Sequence, residues 1–216
     1  MAEQISPRQF HEASGVEDWR ALARGASAHF RTGSFANGVA LVDAIGALAD
    51  AANHHPDIDL RYAGVTVRLL THDLGGLSDR DLALAQQISS AARDLGVIAD
   101  PTAVQDIDLA IDALVSADVL PFWRAVLGYL QAGPEDLVDS HSRWPAIWFQ
   151  KMDAPRPQRN RIHLDVFVPH DQAEARVTAA IAAGGHLVTD AHAPAWWTLA
   201  DAEGNEVDVA TWQGRD

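Results

Sequence analysis

A chain of 216 residues with a formal net charge of −14 and no cysteine has room for one large domain or two small ones. The missing cysteines exclude disulfides, thiolate catalysis and cysteine-ligated zinc, and the acidic balance argues against nucleic-acid binding because it repels phosphate backbones. Hydrophobic residues at 48% suffice for a buried core. No apolar run approaches the roughly 18–20 residues of a membrane span, and MAEQISPRQF lacks the basic start and apolar stretch of a secretion signal, so a cytoplasmic protein without membrane contact is expected.

Along the chain, Ala26–Arg31 reads as a short strand. Ser34 can cap a helix running to about Ala52, with Val39, Val42, Ile45, Leu48 and Ala49 as its apolar stripe. The polar segment Asn53-His54-His55-Pro56-Asp57 follows, and Pro56 disfavours a helical His55. Two strands are predicted at Ile58–Tyr62 and Val65–Leu70, joined around Ala63-Gly64. In the second, Val65, Val67 and Leu69 alternate with Thr66 and Arg68, as a half-buried strand requires. A loop from Thr71 leads into a helix predicted over Ser78–Leu95 and ended by Gly96. Val97–Ala103, with Pro101, reads as a linker between two domains, 1–98 and 104–216. The charge divides unevenly: 8 Arg against 12 Asp plus Glu (−4) in residues 1–98, and 8 Lys plus Arg against 18 Asp plus Glu (−10) in residues 99–216.

The second unit contains an internal repeat with an offset of 57 residues. Asp106–Ile111 (DIDLAI) lies over His163–Val168 (HLDVFV). Gly128, after a helix predicted over Val119–Leu127, lies over Gly185, after one predicted over Gln172–Ala183. Further strands are expected at Ala146–Lys151 in the first half, and at His186–Thr189, Trp196–Ala200 and Glu206–Thr211 in the second. Two strand–helix–strands copies point to a pseudo-symmetric α+β domain.

Chemistry-bearing residues concentrate in the first unit. Asp50 is followed by His54-His55-Pro56, then Tyr62, then Thr71-His72-Asp73, Gly75-Gly76-Leu77 and Asp81. Singly, each has a plain structural reading: a solvated histidine pair, a turn histidine, glycines for a tight turn, and an aspartate at capping-box spacing from Ser78. Together, over roughly residues 26–96, they resemble the signature of the pterin-4a-carbinolamine dehydratases. The resemblance implies an α+β domain with His54, His55 and His72 as its catalytic centre, and a pterin site to which Asp50, Pro56, Tyr62, Thr71 and Asp81 contribute. It also implies a small-molecule pterin as partner, a homodimer or homotetramer, and no cofactor or metal. The family's tryptophan-containing start has Trp19 as a loose counterpart.

Dehydration of a 4a-hydroxytetrahydropterin needs residues of this type. The 4a-hydroxyl must leave as water, which an acid assists, and N5 must lose a proton, which a base assists. Imidazole, with an unperturbed pKa of about 6.5, serves either way near neutral pH, and one positioned acid or base contributes about 10²–10⁴-fold. His55 and His72 are expected to handle protons, and His54 to orient the pterin.

The second unit resembles a glyoxalase-like domain of the vicinal-oxygen-chelate superfamily, through Pro121–Tyr129 (PFWRAVLGY), Asn160–Val168 (NRIHLDVFV), Ala183–Gly185 and Leu199–Val209 (LADAEGNEVDV), with Ala202 in place of a proline. The implied fold is two paired βαβββ modules around an open cleft. Metal ligands in that superfamily would fall on roughly Asp106, Gln150, His163 and Asp208, but two Asp and one Gln are poor substitutes for His and Glu, so no metal is expected. Trp196 and Trp197 must face opposite sides of a strand, so one could line the cleft and stack on a flat ligand. Two further readings stay open: a repurposed dehydratase or isomerase acting on a non-pterin metabolite, and a non-catalytic ligand-binding or dimerisation protein.

Overall fold

In the first unit, Met1–Asp106, alternating side chains build an antiparallel five-stranded sheet backed by helices; the computed structural model describes residues 2–155, 164–211 and 213–214. The order is α1 (Pro7–Glu12), β1 (Arg20–Leu22), β2 (Gly25–Arg31), α2 (Phe35–Ala52), β3 (Asp57–Arg61), β4 (Gly64–Leu69), α3 (Asp79–Asp94) and β5 (Ile98–Ala99). Strands lie as β1-β2-β4-β3, with β5 added to β2. Ala26, Ala28 and Phe30 of β2 and Val65, Val67 and Leu69 of β4 are fully buried in one core with Leu41 and Ile45 of α2 and Leu84 and Ile88 of α3. Each large apolar side chain so buried contributes roughly 1.5–3 kcal/mol. Trp19 belongs to this core: it is fully buried, and its Nε1 donates to Ser89 Oγ at 3.0 Å.

The helix α2 sits differently from the predicted stripe. Gly38, Leu41, Ile45 and Ala49 face inward, whereas Val39 is 47% exposed. The helix is apolar nearly all round, so its pattern leaves the rotation open. Gly38 marks the inward side: a Cβ there would meet Leu60 Cδ1 at 2.5 Å, so a larger residue would require the Leu60 side chain to shift. At 18 residues α2 is also long and apolar enough to cross a membrane by length and composition, contrary to the sequence expectation. Its Leu41 and Ile45 are buried in the first unit's core, and its Asp43 and Asp50 are exposed.

The predicted linker is partly sheet. Arg31 and Phe30 pair with Ile98 and Ala99, and the Asp100 amide donates to the His29 carbonyl at 2.7 Å. Asp106 then accepts from the Arg24 amide at 3.0 Å and from Arg24 Nη2 at 3.1 Å. A fragment ending at Asp106 is therefore expected to stay soluble and unfold cooperatively. One ending at Ala99 should lose about 1.5–3 kcal/mol, because a charged hydrogen bond in a half-buried setting goes with it. Thermal unfolding of the two fragments compares them directly, and equal stability would remove Asp106 from this unit's structure.

The second unit, Ile107–Asp216, comprises β6 (Asp108–Ala113), α4 (Ser116–Leu127), β7 (Leu130–Gln131), β8 (Asp136–Val138), β9 (Ala146–Lys151), β10 (Asp165–Phe167), α5 (Ala173–Ala182), β11 (His186–Thr189), β12 (Trp196–Ala200) and β13 (Glu206–Ala210). Its two four-stranded sheets have the same topology, β6-β9-β8-β7 and β10-β13-β12-β11, each with a parallel first-to-last pairing. These are the two βαβββ modules. The repeat slips by one at its glycines: Gly128 and Gly184 take the left-handed conformation, at φ 70° and 103°. Gly185 instead lies under Phe122, whose Cδ2 a Cβ would meet at 2.2 Å. The closing turn is organised by fully buried Asp201, which accepts from Trp123 Nε1 (2.9 Å), Asn205 Nδ2 (2.7 Å) and the amides of Glu203 and Asn205 (both 2.9 Å). Glu203 in turn accepts from the amides of Leu114 (2.6 Å) and Val115 (2.8 Å), tying the second module to the start of α4.

Candidate functional site

Antiparallel pairing gathers the histidines at one end of the first sheet. Asp57 lies opposite Arg68, so the chain before β3, carrying His54, His55 and Pro56, and the chain after β4, carrying Thr71 and His72, emerge together. Tyr62 follows β3 at its other end. Five residues at about 3.3 Å each separate it from His55 by roughly 15 Å or more. Within one chain, therefore, Tyr62 stands apart from the histidines, and it is 76% exposed at the hairpin tip.

A sharp turn aims His54 inward. Asn53 ends α2 in the left-handed conformation, φ 45°, which asparagine tolerates better than most residues. The Asn53 amide returns to the Asp50 carbonyl at 3.1 Å and the His54 amide to the Ala49 carbonyl at 3.0 Å. The Arg80 guanidinium, from the first turn of α3, donates to the Ala52 and Asn53 carbonyls and holds this helix end. Favourable placement of a cation at a helix C-terminus adds to the hydrogen bonds.

Behind His54 stands Asp81, fully buried. Its Oδ1 lies 2.7 Å from His54 Nε2. Its Oδ2 accepts from the Ser78 amide (2.7 Å), the Thr71 hydroxyl (2.6 Å) and the Ser78 hydroxyl (3.0 Å). The first of these completes the capping box of α3. The capping role and the histidine role of Asp81 thus coexist, one on each oxygen. Thr71 and Asp81 are 4% and 0% exposed, so neither is open to a substrate. Both of these expected substrate-binding residues lie behind His54.

His55 and His72 face out. His55 Nε2 lies 3.0 Å from Asp50 Oδ1, with side chains 60% and 82% exposed. Pro56 is half-buried beside them. His72 opens an exposed 3₁₀ turn, His72–Leu74, closed by Thr71 N–H to the Gly76 carbonyl at 3.0 Å and by Gly75 at φ 58°. The arrangement is one buried histidine fixed by a carboxylate and two exposed histidines on adjoining turns. The two exposed rings can exchange protons with water. Sequence reasoning saw Ser78 only as a helix cap and did not single out Arg80; the Ser-x-x-Asp spacing was the available signal for the first.

The described candidate metal ligands each have other surroundings. Asp106 is engaged by Arg24 in the first unit. Gln150 is exposed on β9, opposite Asp112. Asp208, opposite Asp165, accepts from the Thr198 hydroxyl at 2.6 Å. His163 lies outside the described residues. No group of three histidines or carboxylates placed for a metal occurs among the described residues. Trp197 packs against the core, while Trp196 stacks on His192, with ring centroids 4.2 Å apart, so its ring already has a partner within the chain.

Residues 3–91 match the family described as Pterin 4 alpha carbinolamine dehydratase, and residues 108–210 match the family described as Glyoxalase-like domain. The first match reaches further towards the N-terminus than the motif residues do. Two proteins provisionally named pterin-4-alpha-carbinolamine dehydratase are similar. That of Nocardia farcinica is 44% identical over 78 residues, covering 36% of this chain and 82% of the relative. That of a Roseiflexus species is 40% identical over 89 residues, covering 41% and 96%. Similar solved structures include a transcriptional coactivator/pterin dehydratase from Brucella melitensis, with 20% identity, 42% of this chain, 99% of that chain and TM-score 0.39. Another is a glyoxalase/bleomycin resistance protein/dioxygenase family enzyme from Burkholderia phytofirmans, with 19% identity, 50%, 98% and TM-score 0.41.

Proposed function

The chain belongs to the pterin-4-alpha-carbinolamine dehydratase family through residues 3–91 and carries a glyoxalase-like domain after them, and from this we propose that it dehydrates a 4a-hydroxytetrahydropterin to a quinonoid dihydropterin. The observation that carries the reading is the grouping of one carboxylate-held histidine, His54, with two exposed ones, His55 and His72, at one end of the sheet. An acid donates a proton to the 4a-hydroxyl, the C4a–O bond breaks and water leaves. A base takes the N5 proton, and the N5 electron pair closes the C4a=N5 double bond, so one proton is given and one recovered. Exposure suits His55 and His72 to this exchange, since each can be reprotonated from water. His54, with its ring fixed, suits orientation of the substrate. Exposed Phe35 and Val39 on α2 support assembly as a homodimer or homotetramer.

The test is formation of quinonoid dihydropterin from 4a-hydroxytetrahydropterin by the full chain. An acceleration of about 10²-fold or more over buffer is expected, the scale of positioned acid–base catalysis. A rate equal to that in buffer would overturn the reading.

The glyoxalase-like domain is read as an accessory. Its fold family often carries a divalent ion, but the residues here do not fit one: Asp106 is committed to Arg24, and the amide Gln150 is a weak donor for a transition metal. The purified full chain is accordingly expected to retain no stoichiometric divalent ion after chelation and dialysis. One equivalent found by elemental analysis, and lost on His163→Ala, would make this domain a metal centre.

A further inference from the structure

Resting on the pterin reading, the geometry points to Nδ1 as the working atom of His54, a hydrogen-bond acceptor for an N–H of the bound heterocycle, and to Thr71 and Ser78 as the positioning residues that keep it so. Asp81 is the pivot. A carboxylate accepts hydrogen bonds and donates none. Its Oδ2 is occupied by the Ser78 amide and by hydroxyl protons, and its Oδ1 faces His54 Nε2 at 2.7 Å. The proton between them therefore sits on Nε2. A neutral imidazole carries one proton, so Nδ1 keeps its lone pair.

The rest of the ring is enclosed, since His54 is only 7% exposed. Nδ1 has no hydrogen-bond partner among the described residues, yet it is not among the fully buried side-chain atoms left without one. It thus keeps some exposure, on a residue whose neighbours in the fold are the turns that carry His55 and His72. A histidine free to present either nitrogen could meet a donor or an acceptor. This one, while neutral, offers only an acceptor, which selects a heterocycle edge bearing N–H over one bearing a carbonyl.

The hydroxyls act through Asp81. Thr71 Oγ1 donates to Oδ2 at 2.6 Å and lies 2.6 Å from Ser78 Oγ, so the two hydroxyls and the carboxylate form a closed buried set. Removing either hydroxyl takes away one of the donors that hold Oδ2 and loosens the carboxylate that faces His54. Loss of an orienting partner behind a metal-ligating histidine typically costs 10–100-fold, and for this metal-free histidine the lower end, about tenfold, is expected.

Long-range ¹H–¹⁵N spectra of the full chain, followed over pH and with the His54 signals identified by their loss in His54→Gln, measure the tautomer directly. Neutral His54 should show a protonated Nε2 and an unprotonated Nδ1. Thr71→Val and Ser78→Ala should each mix the tautomers and lower pterin turnover about tenfold, and Thr71→Ser should restore both. A protonated Nδ1 in the neutral wild-type ring, or an imidazolium that persists to pH 9, overturns the assignment even if pterin turnover is fast. The expected tautomer without any pterin turnover upholds the assignment at Nδ1 and removes the dehydratase reading instead. Should Thr71→Val fail to fold, Ser78→Ala decides: an unchanged tautomer and rate would strip the hydroxyls of the positioning role.

Discussion

Replacing His55 or His72 by alanine is expected to lower dehydration of 4a-hydroxytetrahydropterin by about 10²-fold or more in each case, with the fold left intact. Both side chains are exposed, and neither fills the core. Surface substitutions of this kind usually change stability by no more than about 0.5 kcal/mol, so a rate loss can be separated from unfolding. Initial rates and thermal unfolding on the same preparations make that separation. The double variant should lose less than the product of the two single effects if the histidines act as one acid–base unit. Near-normal turnover in both single variants would leave the exposed histidines as solvated turn residues, the plain reading of their sequence context.

Asp81→Ala is expected to destabilise the protein by roughly 3–5 kcal/mol, the scale of breaking a buried pair and leaving its partners unsatisfied. Magnitude decides between two roles here. An aspartate that only caps α3 would cost about 0.5–2 kcal/mol on removal. Asp81 also satisfies the Thr71 hydroxyl and His54, both buried with it. Its loss therefore orphans groups on β4's exit turn and on the end of α2 as well as on its own helix. Urea unfolding with an unchanged denaturant slope would report the difference as stability alone. A loss under 2 kcal/mol would reduce Asp81 to a cap and weaken the claim that it holds His54. Asp81→Asn should cost less, because its amide oxygen still accepts the Ser78 amide.

Several features were determined by the sequence alone, because each depends on neighbours in the chain. Alternation in Val65–Leu69 marked a half-buried strand, and the strand lies where it was read. Ser34 and Ser78 stand as caps because a hydroxyl two or three residues from an amide needs no tertiary help. The repeat over 57 residues was legible because both modules place their first strand and helix alike. Elements of two or three residues, such as β1, β5, β7 and β8, were not, since so short a stretch carries no period.

Only the tertiary structure decided the rest. The inward face of α2, Gly38, Leu41, Ile45 and Ala49, was set by packing on the sheet, which an all-round apolar helix does not announce. The separation of Tyr62 from the histidines followed from the antiparallel register of β3 and β4, not from its spacing in the motif. Asp106, read as the start of a strand and a candidate metal ligand, is held by Arg24 from 82 residues away. His54 and His55 are adjacent in sequence and chemically identical, yet one is buried against Asp81 and the other exposed beside Asp50. That difference arises from the left-handed turn at Asn53 and from where α3 happens to pass. Local chemistry chose the residues; the fold buried one ring and left the other exposed.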